Sequence, residues 1–364
     1  MKKIITAGAI LLMTTSIATA GYLDRSGQGI GVIFEDGDYA ELSFGSVSPS
    51  ISGVGFATGF GGVGASSGNI ANSYVQLGMA YKSQLNDQLS LAIIYDQPFG
   101  ADVEYATLGY VLASPAPGVV ANSGARVESD GITVLGRYEI NPNFSVHGGM
   151  RYIQASGYYS LALVGYASNY ASNGDFGYVL GGAYERDDIA MRIALTYSSG
   201  IDLELDGDQA GNTLTANLPE SVNLDFQTGI AADTLLFGSV RYVAWDGFAL
   251  VDSNNPTIVG NILAYDDDVY TYNIGVGRRI TESFAASFAV GYEKPTGEPT
   301  VQLGPTDGYL SYQIGGAYTI DNGVEVSGGI RYVDLGNTVT ESPIGGVFND
   351  NDAVAIGLKV GYSF

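Results

Sequence analysis

Residues 353–364, AVAIGLKVGYSF, decide how this chain is to be read. Val354, Ile356, Leu358, Val360, Tyr362 and Phe364 fall on one face of an extended strand. Ala353, Ala355, Gly357, Lys359, Gly361 and Ser363 fall on the other, because successive strand side chains point to opposite sides. Such a strand fits two settings. In a soluble sandwich the apolar face meets a core and the small face meets water. In a membrane barrel the apolar face meets lipid and the small, polar face lines the lumen. Alternation alone does not separate them.

The same pattern recurs upstream as runs of about ten residues, each ended by a turn. Fourteen runs begin near residues 39, 72, 88, 125, 144, 175, 188, 218, 233, 268, 283, 307, 323 and 351. Short connections carry turn chemistry, as in Leu85-Asn86-Asp87-Gln88, Asn141-Pro142-Asn143 and Asp321-Asn322-Gly323. Much longer loops, such as 98–124 and 246–267, alternate with them. An even number of strands with short turns on one side and long loops on the other is the outer-membrane pattern, and it puts both termini on the short-turn, periplasmic side. Outward tyrosines give an independent test. Tyr81, Tyr138, Tyr184, Tyr318 and Tyr362 stand near the short turns; Tyr95, Tyr152, Tyr197, Tyr242, Tyr292 and Tyr332 stand near the far ends. At about 3.3 Å per residue and a tilt of roughly 40°, eight steps separate the two rings by about 20 Å, near the apolar height of a membrane barrel. The expected fold is all-β: a transmembrane antiparallel barrel of fourteen strands with a short N-terminal hatch, or plug.

Composition narrows the function classes. Hydrophobic residues make up 46% and charged residues 15%, against about 25% charged in soluble domains. The absence of Cys excludes disulfides, thiolate metal sites and a Cys nucleophile, and the single His147 excludes a multi-His metal centre. A net charge of −23 argues against a nucleic-acid partner. Lys2 and Lys3, an apolar stretch from Ile4 to Met13, and Ala18-Thr19-Ala20 before Gly21 read as a secretory signal peptide over residues 1–20. Its removal takes the charge to −25. Residues 21–38 are then the hatch and 39–364 the barrel. Acidic loop clusters such as Asp206-Gly207-Asp208 and Asp266-Asp267-Asp268 lack a complete calcium-loop pattern. They read as solvated loop ends facing outer-membrane lipid and lipopolysaccharide, and no metal or other cofactor is expected.

Several long loops are apolar. The first contains Phe56 and Phe60, the second Leu108, Tyr110, Val111 and Leu112, the third Leu161 and Leu163, and the fifth Phe248 and Leu250. They suit a greasy vestibule capturing a hydrophobic solute. They also suit a packed lid, or strands extended above the membrane.

Leu218-Pro219-Glu220, then a strand, a tight turn and the stretch 240–248 (VRYVAWDGF) resemble the eighth and ninth strands of the FadL/TodX family of outer-membrane transporters of long-chain fatty acids and other hydrophobic compounds. Ser48-Pro49-Ser50-Ile51-Ser52-Gly53 and the closing Gly361-Tyr362-Ser363-Phe364 add to the likeness. The resemblance implies a plugged barrel in which ligand passes from an apolar loop groove to a pocket inside. From there it leaves sideways beside a kinked third strand, without energy coupling. Where the family hatch usually carries Asn-Pro-Ala, this chain reads Phe34-Glu35-Asp36-Gly37-Asp38. A kink is expected near Asp96-Gln97-Pro98-Phe99-Gly100, because Pro removes a ladder donor.

Alternation points Lys82, Arg137, Arg151, Arg192, Arg241, Arg279, Arg331 and Lys359 into the lumen. A fatty-acid carboxylate needs a charge-assisted donor, and the Arg fork supplies one, so Arg151, Arg241 and Arg331 are candidate ligand contacts. They equally suit pairing with lumen acids or the hatch. By resemblance, Tyr22, Leu23 and Arg25 are hatch residues that meet ligand from below. His147 faces inward as well; a lone lumen His is far more often structural than catalytic, so no enzyme is expected. The sequence thus reads as a monomeric passive transporter of long-chain fatty acids or similar hydrophobic small molecules. A surface adhesin and a general porin are the rivals.

Overall fold

Each of the fourteen alternating runs forms a strand in the computed structural model, which describes residues 23–56, 63–116, 118–255, 261–320, 323–341 and 344–364. The signal peptide, Tyr22 and Phe60 lie outside the described residues. In chain order the strands are β1 (Tyr39–Ser50), β2 (Tyr74–Gln84), β3a (Leu89–Asp96) continued by β3b (Gly100–Glu104), β4 (Gly124–Asn141), β5 (Phe144–Leu161) and β6 (Tyr166–Arg186). Next come β7a (Met191–Ser198) with β7b (Ile201–Asp206), β8a (Thr213–Leu218) with β8b (Ser221–Ala231), and β9 (Thr234–Val243). The last five are β10 (Val269–Arg279), β11 (Phe284–Glu293), β12 (Tyr309–Thr319), β13 (Val324–Leu335) and β14 (Asn351–Ser363). Neighbours in the chain pair antiparallel, and β14 closes on β1 from Tyr39↔Ser363 to Ser50↔Asp352. The result is a closed barrel of fourteen staves.

Register explains why this barrel belongs in a membrane. Leu42 of β1 lies opposite Val360 on one side and Met79 on the other, and Phe44 lies between Leu358 and Leu77. All six are exposed on the outer surface. The row continues around the wall through Ile93, Val134, Met150, Leu180, Leu195, Ile274, Phe288, Ile314 and Ile330. In water each such side chain would forgo about 1.5–3 kcal/mol of burial; against acyl chains it forgoes none. The upper tyrosines mark the polar boundary, since Tyr95, Tyr197 and Tyr242 donate to Asp130, Glu220 and Asp268 at 2.5, 2.6 and 2.8 Å.

The short turns are closed by side chains that stand in for ladder acceptors. Asn86 Oδ1 accepts from the Gln88 and Leu89 N–H groups, Asn141 Oδ1 from those of Asn143 and Phe144, and Thr281 Oγ1 from those of Ser283 and Phe284. Inside the wall, small residues leave room for what fills the lumen. A Cβ on Gly181 would come within 2.2 Å of His147 Nε2.

On the long-loop side the chain is more regular than its sequence suggests. β6 begins at Tyr166 rather than near 175, and β5 runs on to Leu161, so part of the third loop is strand lifted above the membrane. Tyr166 and Tyr170 both donate to Asp252 Oδ2, at 2.5 and 2.8 Å, which fixes this extension to the fifth loop. Two further sheets cap the barrel. One joins β7b, β8a and residues 249–252 and 263–264; the other joins residues 53–55, 346–348 and 338–339. Trp245 is fully buried beneath them, edge-on to Phe99, Phe248 and Tyr265.

Candidate functional site

Residues 23–38 pass through the lumen and are held by inward side chains from several staves. The segment contains one 3-10 turn, Gly31–Phe34. Asp24 Oδ2 lies 2.6 Å from Arg241 Nε, and Arg241 Nη1 donates to Asn223 Oδ1 at 2.7 Å. Gln28 Oε1 accepts from Arg151 Nη1 at 2.7 Å, while Arg151 Nε donates to Thr133 at 2.8 Å. Asn223 Nδ2 donates to Gly27 O at 2.9 Å. Phe34 lies between two guanidinium groups, 5.0 Å from Arg137 and 4.6 Å from Arg192, with the edge of His147 at 5.8 Å. His147 Nε2 is 3.0 Å from the Thr196 hydroxyl. Below, Arg137 also pairs with Glu185, Lys82 donates to Gly37 O at 2.9 Å, and Lys359 reaches Glu41 at 3.3 Å.

The wall is interrupted beside this segment. β2 and β3a pair from Gln84↔Ser90 to Met79↔Tyr95; the next link between the staves is the bridge Ala71–Val103. Between these points the stretch 74–78 has no strand partner on that side. Pro98 carries no N–H and cannot continue the ladder. Gln97 spans part of the break, accepting from the Leu77 N–H through Oε1 at 2.9 Å and from Gln76 Nε2 through its carbonyl at 3.2 Å. The displaced chain turns inward and pairs with the N-terminal segment: Arg25 N donates to Pro98 O, and Gly100 N to Leu23 O, both at 2.8 Å. Ser26 Oγ donates to Asp96 at 2.5 Å. The kink expected from Pro98 is therefore present, and it coincides with the break.

A lumen cavity of about 150 Å³ opens along the break. Its wall side is Ser43, Gly45, Gly78 and Gly357; Gln76, Asp96 and Gln97 come from the break, and Ser26 and Glu35 from the N-terminal segment. At the outer surface a wider cleft of about 770 Å³ lies between loops. Phe56, Tyr265, Val301 and Val339 give it apolar surface, and Asp266, Asp267, Glu298 and Glu341 give it acidic surface.

The structure separates the sequence candidates. Phe56 lines the outer cleft. Tyr110, Val111, Leu112 and Leu161 are buried in the apolar core between lid and barrel, together with Leu23, Phe99 and Trp245. Leu108 and Leu163 are exposed, at 74% and 38%. Arg151 and Arg241 hold the N-terminal segment, whereas Arg331 donates to Ser311 at 2.8 Å and stacks over Tyr309. Arg25 lies at the top of the break, its guanidinium 3.8 Å from the Tyr74 ring centre. Tyr105 and Tyr110 stack at 5.3 Å, and burial pushes the Tyr110 hydroxyl up to about 12. Asp24 and Gln28 escaped the sequence reading, and Phe34 and Gln97 were named there without a role in the site. Only Phe34, an aromatic in a short segment unable to build a core of its own, gave a usable signal.

No protein-family model and no curated protein matches the sequence. Solved structures do resemble it. A FadL homologue from Pseudomonas aeruginosa superposes with a TM-score of 0.73 over 92% of both chains at 13% identity. The toluene transporter TodX of P. putida gives 0.65 over 91% of both chains at 13% identity. The toluene transporter TbuX of Ralstonia pickettii gives 0.60 over 98% of this chain and 99% of its own, at 12% identity. The likeness first read from residues 218–220 and 240–248 is thus met across nearly the whole chain, and the protein has the fold of the FadL and TodX channels.

Proposed function

We propose that the protein is a passive channel of the outer membrane that takes up long-chain fatty acids or similar hydrophobic small molecules. Ligand gathers in the outer cleft, crosses the apolar core around Trp245, and leaves sideways into the membrane through the break beside Pro98. The observation that carries this reading is the break itself: the cavity on its inner side is built from the same Gln76, Asp96 and Gln97 that flank it, and outward Leu77 and Met79 adjoin it. An unpaired ladder edge facing acyl chains is costly, so it persists where function maintains it. The toluene transporters of the same fold support a hydrophobic cargo. The segment 21–38 acts as the hatch, a reading supported by its described part, residues 23–38, which occupies the section through which polar solutes would otherwise pass. Residues 1–20 direct export, both termini face the periplasm, and one chain forms one channel.

Cells lacking their own outer-membrane transporter, with and without this gene, supply the test. Restored uptake of a radiolabelled long-chain fatty acid or of toluene, with no swelling of protein-bearing liposomes in small sugars, is the expected result. Swelling without hydrophobic uptake would make it a porin instead.

A further inference from the structure

We propose that Arg25 is the binding residue for an anionic head group at the wall break. The inference rests on the channel reading above and adds to it a site and a selectivity. Arg25 is 9% exposed, makes no ion pair or side-chain hydrogen bond among the described residues, and leaves Nε buried without a partner. Its guanidinium lies over the face of Tyr74, and Asp102 and Glu128 act on it electrostatically without forming an ion pair among the described residues. The other arginines of this layer differ: Arg241 has Asp24, and Arg151 has Gln28 and Thr133. A buried cation costs several kcal/mol unless something compensates it, and one left without an ion pair points to a ligand.

The surroundings suit an amphiphile. Arg25 lines a cavity of about 70 Å³ with Ile51, Ile70, Val103, Leu303 and Pro305. A single water needs only about 10–15 Å³ by the same measure, so a carboxylate or a phosphate oxygen pair has room. Asp102 shares the cavity but is engaged by Asn72 at 2.9 Å and Arg126 at 3.4 Å, and does not reach Arg25 within ion-pair distance. Gly100 makes the position possible, since a Cβ there would lie 2.5 Å from the Arg25 guanidinium carbon. The acids of the outer cleft do not cancel this cation: Asp266, Asp267, Glu298 and Glu341 are exposed, and solvated charges are screened beyond about 8 Å. The head group belongs either to cargo pausing at the exit or to a membrane lipid leaning into the break.

Trp245, the single Trp, sits 6.2 Å from Phe99, the residue before Gly100, and its fluorescence can follow binding. Purified protein in a neutral detergent is titrated with dodecanoate against dodecanol, and with dihexanoyl phosphatidylglycerol against dihexanoyl phosphatidylcholine. The expected result is a preference of about tenfold or more for the anionic member of one pair. Arg25→Met should abolish the preference while leaving dodecanol binding unchanged, and Arg25→Lys should keep part of it. A dodecanoate preference assigns the site to cargo; a phosphatidylglycerol preference alone assigns it to lipid. Gly100→Ala, which pushes on the guanidinium, is the second variant and should weaken the anion alone. Equal affinities within both pairs, or a preference that survives Arg25→Met, overturns the proposal. If neither dodecyl compound binds, the hydrophobic-channel reading falls, and the lipid pair alone decides on Arg25.

Discussion

Arg241 Nε and Asp24 Oδ2 lie 2.6 Å apart, so a residue of the N-terminal segment is tied to a barrel strand 217 positions later. The pair is largely buried, and Arg241 Nη1 also donates to Asn223 and Ser221. Removing one partner of such a pair strands the other, at a cost of about 3 kcal/mol. That cost falls on the docking of the N-terminal segment, because the Asp24 side chain takes no part in strand pairing and its backbone bridge to Phe99 survives the change. Asp24→Ala should therefore leave the heat-dependent gel mobility of the barrel unchanged and make liposomes permeable to small sugars. If permeability stays at the wild-type level, Asp24 does not hold the segment in place.

Phe34 makes a second, independent anchor. Its ring is flanked by Arg137 and Arg192, and cation–π contacts away from water contribute on the order of 2 kcal/mol each. Phe34→Leu keeps apolar volume but loses the π-face; Phe34→Ala loses both. Protease nicking near residues 31–38, measured on the purified protein, should rise in the order wild type, Leu, Ala. Equal protection of all three would show that Phe34 is only filler.

Tyr110 gives a prediction in pH. Burial pushes its hydroxyl from 10 up to about 12, and that hydroxyl has no hydrogen-bond partner among the described residues. The folded pKa is raised, so folding favours the protonated form. Its contribution is complete below pH 10 and lost as pH rises through about 12. The lid should loosen in that alkaline window, read as hydrogen exchange in residues 105–123. Tyr110→Phe keeps the stack on Tyr105 and removes the unsatisfied hydroxyl. It should be neutral or stabilising at neutral pH and should narrow the alkaline loss.

The barrel was legible because lipid imposes a strict period of two on each stave and the turns reveal their side by length. The register of Leu42 with Val360 follows once alternation is read. What lies in the lumen was much less legible. Alternation aims Arg151 and Arg241 inward but cannot say that Gln28 and Asp24 await them, since those partners stand on a segment without periodicity. The apolar loops were ambiguous for a related reason. A buried Leu112 and an exposed Leu108 have the same chemistry, and only packing separates them. Pro98 was the exception: a missing N–H is a local fact with a local consequence, so the kink could be placed from the sequence.

The break beside Pro98 yields the most direct test of sideways release. Gly78 faces the lumen cavity on the β2 side, and the nearest atom to a Cβ there is the Ser43 hydroxyl at 2.5 Å, a group that can rotate away. Gly78→Leu would add a side chain to a cavity of about 150 Å³, enough to occupy much of it. The pairing of β2 with β1 passes through the backbone at Ser43↔Gly78 and survives the change. The variant should assemble as a heat-modifiable barrel and still bind dodecanol at the outer core, with Trp245 fluorescence responding as in wild type. Uptake by cells should nevertheless fall about tenfold, because ligand reaches the break and stops. A matched change four staves from β2, Gly315→Leu on β12, adds similar bulk away from the break and should leave uptake nearly intact. If both variants transport alike, ligand leaves by another route, and the unpaired edge at 74–78 needs another explanation.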